Sequence, residues 1–223
     1  MSEFDIAVRT IAVYLIPVLF AIALHEAAHG YTARYFGDPT AANQGRLSLN
    51  PIRHIDPFGT IVLPLILFFV HLPPLGYAKP VPVDFGRLRN PKKQMAFVAA
   101  AGPAANFVMG LGWMLALVLL SALPDAPDFF VLMAKAGVSV NSAMCVFNLL
   151  PIPPLDGGRI VTGLLPLPLA RKFARIELYG AYVFIGLVLL MQFGILDGVL
   201  ITLMTIVQNI FHLMVYPLIL LLN

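Results

Sequence analysis

His25-Glu26-Ala27-Ala28-His29 is the one place in this chain where residue types and spacing prescribe a reaction. Two histidines four residues apart fall on the same face of a helix, so both imidazoles can reach one metal ion. The glutamate beside the first histidine can polarise a water on that metal, which is the arrangement that hydrolyses peptide bonds. The setting is unusual, because the fifteen residues from Thr10 to Leu24 that lead into the motif carry no charge. Water chemistry in such a helix implies hydrolysis inside a membrane.

The rest of the chain supports that setting. Of 223 residues, 60% are hydrophobic and 11% charged, against about 25% charged in ordinary soluble domains. Spans or near-spans are expected at residues 10–33, 94–122, 129–150, 179–196 and 198–222, judged against about 20 residues per helical crossing. A sixth apolar segment, Phe58 to Leu75, is shorter and broken by glycine and proline. The expected fold is an all-α polytopic membrane protein with about five to six transmembrane helices. A single membrane-embedded domain, 1–223, follows, with its catalytic core at about 8–160 and C-terminal helices at about 178–222. The N-terminal stretch contains Glu3 and Asp5 and lacks a basic region, so it reads as part of the first span rather than as a secretory leader. Cys145 is the only cysteine, which excludes an intrachain disulfide.

Charge then orients the elements. If Phe58 to Leu75 enters and returns without crossing, twelve of the fourteen basic residues, from Arg34 to Arg175, collect on one face, while Arg9, Asp125, Asp128 and Asp197 lie on the other. The positive-inside rule makes the basic face cytoplasmic and puts the N-terminus outside. His25 and His29 lie toward that face, and a third ligand must reach their depth. Asp156 is the candidate, within Asn148-Leu-Leu-Pro-Ile-Pro-Pro-Leu-Asp156-Gly-Gly-Arg159, because the prolines end the helix and Gly157 and Gly158 permit close backbone approach. The segment at 58–75 is accordingly expected to be a re-entrant or membrane-associated β element packed on protein. The stretch from Gly45 to Val83 is expected to offer a strand edge for an extended substrate.

Taken together, HEAAH, NLLPIPPLDGG at 148–158 and Gly102-Pro103-Ala104-Ala105-Asn106 resemble the site-2 protease family of intramembrane zinc peptidases. GRLSLNPIRHIDPFGT at 45–60 and AKPVPV at 78–83 resemble its compact bacterial branch, without an inserted soluble module. The resemblance implies one Zn2+ per chain held by His25, His29 and Asp156, with Glu26 as general base. Asn106 and Asn148 are expected to hydrogen-bond substrate or oxyanion, since buried amides in a membrane need partners. The expected partners are a single-span transmembrane protein or peptide as substrate, the lipid bilayer, and an adaptor protein or second copy of the chain; no nucleic acid is expected. The bacterial cell membrane is the expected location, with the site toward the cytoplasm. The competing reading is a non-proteolytic membrane protein with a structural metal or a transport role, although matching broken helices in two halves are absent from the sequence. His54 and Asp56 read as turn residues with local hydrogen bonds, and His71 and His212 as packing or interfacial residues. Gly102, Gly110 and Gly112 read as small residues that allow helices to approach.

Overall fold

The computed structural model describes residues 3–63, 66–67 and 79–222. Its long elements are α1 (Glu3–Tyr35), α3 (Pro91–Ser121), α4 (Asp128–Leu149) and α8 (Asp197–Leu222), with shorter helices α2 (Thr40–Asn43), α5 (Asp156–Leu164), α6 (Leu167–Ala174) and α7 (Gly180–Gln192). Among the described residues, five stretches are long and apolar enough to cross a membrane: Val8–Tyr35, Pro91–Ser121, Asp128–Leu149, Leu167–Gln192 and Asp197–Leu222. Four of them match the expected spans to within a few residues, and the fourth overlaps the expected 179–196 but begins earlier, at Leu167. The fourth is a composite of α6, a 3-10 turn at Arg175–Tyr179, and α7.

Helix α1 packs on α3 and α4, α3 also packs on α4 and α5, and α8 closes the far side of α3 and α4. Small residues set these spacings. A Cβ on Gly137 would fall 2.2 Å from the Trp113 ring, and one on Gly110 would fall 2.6 Å from Phe211, so α3, α4 and α8 meet closely there. A Cβ on Gly112 would meet nothing within 4 Å, so that position makes no such close approach. Many leucines, isoleucines and phenylalanines of the described helices are exposed, as expected of helices solvated by lipid rather than water.

No strand forms among the described residues. Much of the segment expected to re-enter, residues 64–65 and 68–75, lies outside them, as does His71. Its first part, Pro57–Val62, is a π-helical turn capped by Asp56, whose carboxylate accepts the Gly59 N–H at 2.7 Å. Residues 79–84 form neither helix nor strand. They are tied down instead by Arg46, which donates to the carbonyls of Lys79 and Pro80, and by the Lys79 N–H, which donates to His54 O at 2.9 Å.

Asp38 holds the corner after α1. Its carboxylate accepts the Thr40 N–H at 3.0 Å and the Thr40 hydroxyl on one oxygen, and the Asp84 N–H at 2.7 Å on the other. Burial alone would raise its pKa, but the Thr40 and Asp84 donors, with Arg87 nearby, hold it below the usual carboxylate range. The corner therefore fastens the 79–84 segment to the end of α1.

Candidate metal centre

His25 and His29 stand one turn apart on α1, with His25 buried at 5% exposure. Asp156 reaches them from the first turn of α5. Between α4 and α5 the chain turns through Pro151, Pro153 and Pro154, with a cis bond between the last two. Gly157 and Gly158 lie so close to this turn that a Cβ on either would sit 2.3 Å from Leu149 O or 2.4 Å from Pro153 N. A side chain at either position would push the start of α5, and Asp156 with it, away from α1.

The donor atoms converge. His25 Nε2 lies 3.1 Å from His29 Nε2, and Asp156 Oδ2 lies 3.2 Å from the first and 3.3 Å from the second. Two partners fix the imidazole tautomers. His25 Nδ1 is 2.6 Å from Asn106 Oδ1, and His29 Nδ1 is 2.7 Å from the Val98 carbonyl. The Asn106 amide nitrogen donates to Ala21 O and Asn141 Oδ1, so its oxygen is the atom facing His25. Both Nδ1 atoms must then be donors in the neutral rings, which leaves both Nε2 atoms as lone pairs. Asp156 Oδ2 is buried without a hydrogen-bond donor among the described residues. Three acceptors face one another with no proton between them, and a cation resolves that conflict. Ligand atoms on a tetrahedral zinc with bonds of about 2.0–2.1 Å stand about 3.3 Å apart, which is the spacing found.

Helix α3 supplies the floor. A Cβ on Gly102 would lie 2.5 Å from His29 Nε2 and 2.6 Å from His25 Cε1. Gly102 therefore makes room for the imidazoles themselves, a more specific job than general helix approach. Asn106, one turn on, is fully buried, and its amide is engaged by His25, Ala21 and Asn141 rather than facing open space. Asn148 does line the adjoining cavity and donates to Met144 O at 3.0 Å. Asn141 is a participant that sequence reading missed. An amide in the middle of the 129–150 span was the signal available, since such a group needs a partner.

The cavity beside the donors has a volume of about 270 Å³ and is lined by His25, Glu26, His29, Asn148, Asp156 and Arg159, with Pro80, Val81 and Val83 along one wall. Glu26 Oε2 accepts the Val81 N–H at 2.8 Å. Gly30, four residues on and so on the same helix face, lets that wall come near: a Cβ there would be 2.7 Å from Val81 Cγ1. The two other histidines among the described residues, His54 and His212, stand apart. His54 is buried with Nε2 2.7 Å from Ser48 O, and His212 is exposed on α8 with its ring toward Tyr216.

Residues 125–193 match the family model of peptidase family M50, a stretch that includes Asp156 but not the histidines of α1. The "Putative zinc metalloprotease YwhC" of Bacillus subtilis is 38% identical over 181 residues, covering 78% of each chain. "Putative zinc metalloprotease Rip2" is 35% identical over 141 residues in Mycolicibacterium smegmatis and 33% over 144 in Mycobacterium tuberculosis, in each case covering 62% of this chain and 52% of the relative. No solved structure matches. An α-helical membrane bundle that focuses two imidazoles and a carboxylate on one point, with these relatives, belongs to peptidase family M50, the site-2 protease family of zinc metalloproteases.

Proposed function

We propose that this protein cleaves transmembrane segments of single-span substrates, with His25, His29 and Asp156 holding the zinc and Glu26 acting as general base. The observation that carries the reading is the set of three lone-pair atoms 3.1–3.3 Å apart, opening onto a cavity that Glu26 also lines. When bound, zinc supplies Lewis acidity that makes water nucleophilic near neutral pH. Glu26 accepts the proton of the attacking water as its oxygen bonds to the scissile carbonyl carbon, then returns that proton to the departing nitrogen as the C–N bond breaks. Asn106 orients His25 through Nδ1, and the Val98 carbonyl does the same for His29. Asn148, on the cavity wall, is placed to hydrogen-bond the substrate backbone or the developing oxyanion.

A transmembrane helix hides its peptide bonds behind its own hydrogen bonds, so the substrate must be unwound locally. The wall at 80–83, which is neither helix nor strand, lies beside Glu26, where its backbone is placed to meet a peptide in that state. We read the whole chain as one membrane-embedded peptidase domain of a bacterial cell membrane, with the N-terminus outside and the cavity toward the cytoplasm. An adaptor or a second copy of the chain is the expected further partner.

The test pairs purified wild type with Glu26→Gln on a transmembrane substrate, reading bound zinc and cleavage together. Full zinc in both proteins and a rate loss of about 10²–10⁴-fold in the variant is the expected result. Equal cleavage by the variant excludes the general-base role, and zinc binding by a wild type that cleaves nothing points to a structural metal.

A further inference from the structure

A second concavity, of about 350 Å³, opens between the start of α3, the turn at Phe85–Arg87, α5 and α6. Its wall is almost wholly apolar, with Phe85, Met95, Leu167 and Ala170 prominent, but Lys92 and Arg171 also line it. Neither cation makes an ion pair among the described residues. The groove lies where Pro91 begins one candidate span and Leu167 begins another, which is the level of the membrane boundary. Soluble ligands would leave the apolar wall wet, whereas a lipid places an acyl chain on it and a headgroup beside the cations. We propose that this groove binds one anionic phospholipid, its acyl chain along the apolar wall and its phosphate between Lys92 and Arg171.

Charge complementarity selects the headgroup, because cations at a membrane surface attract anionic lipid by about 1 kcal/mol each, or about fivefold in affinity. Lys172 and Arg175 provide an internal control. They are exposed on or just after the same short helix but do not line the groove. Phe85 lines the metal cavity as well, so the two concavities share a wall.

The experiment titrates detergent-solubilised full-length protein with phosphatidylglycerol or phosphatidylcholine and counts bound lipid by native mass spectrometry, with zinc content and thermal melting as checks on folding. Wild type is expected to retain one phosphatidylglycerol in preference to phosphatidylcholine. K92Q/R171Q should weaken it about twenty-five-fold, while K172Q/R175Q, with the same charge loss, should change it by no more than about twofold. A174L keeps every charge and narrows the groove, and it should also lose the lipid. The proposal is overturned by equal retention of the two lipids, by equal weakening in the two double variants, or by wild-type retention in a folded A174L protein.

Discussion

Gly102→Ala adds one methyl group at the point where α3 faces the metal ligands. Its Cβ would come 2.5 Å from His29 Nε2 and 2.6 Å from both Cε1 atoms, where ordinary contact needs 3.4–4 Å. The shortfall is about 1 Å, and the obstacles are two rings already held by Asn106 and the Val98 carbonyl. They can yield only by breaking those hydrogen bonds or by pushing α1 from α3. Overpacking of this kind costs about 1–3 kcal/mol, partly offset by the roughly 1 kcal/mol that alanine gains over glycine in a helix. Fold stability should therefore fall by no more than about 2 kcal/mol. The metal site should suffer far more, because displaced ligands lower zinc affinity by about 10–100-fold and a 1 Å misplacement slows the reaction by about 10²-fold. Gly112→Ala, with nothing within 4 Å of its Cβ, is the matched control on the same helix and should match or slightly exceed wild type. Zinc competition with a chromophoric chelator, thermal melting and substrate cleavage together read the effect. A G102A protein with wild-type zinc affinity and cleavage would refute the account of how α3 sets the ligands.

Asn106→Ala should leave the helices in place but free the His25 ring, lowering zinc affinity by about 10–100-fold in the same competition assay. Asp38→Asn should lower melting temperature at neutral pH. The folded state depresses the Asp38 pKa, so its stabilisation is present above the unfolded carboxylate value and is lost as pH falls through the lower folded one. The two proteins should therefore converge in acid, and a gap that persists there would assign the effect to packing. Gly157→Ala should prevent α5 from seating against the Leu149 carbonyl, so the variant should bind little zinc even if its helical circular dichroism is intact.

The spans and the meeting of His25, His29 and Asp156 were readable because their signals are side chains in sequence: apolar runs, two histidines at helical spacing, and an aspartate after a proline turn. What escaped reading depends on main-chain groups and on shape. No residue type announces that the Val98 carbonyl would hold His29 or that the Val81 N–H would meet Glu26. Gly102 was legible as small, but only three-dimensional neighbours distinguish a glycine beneath two imidazoles from Gly112, where an added Cβ would meet open space. Asn106 reads as a polar group in need of partners. Its partners turn out to be His25, Ala21 and Asn141, all inside the bundle.

The fold-back of α5 onto the end of α4 brings together two residues, His25 and Asp156, that are 131 positions apart in the chain. A metal bound to both acts as a cross-link closing that loop. For a chain free in water such a closure would restrict the unfolded state by on the order of 5 kcal/mol, an upper bound here because the bilayer already confines the helices. Chelation would then do more than stop the reaction. It would unfasten α1 from α5, leaving the buried acceptors to repel one another, so resistance to proteases and denaturants should follow metal occupancy as closely as activity does.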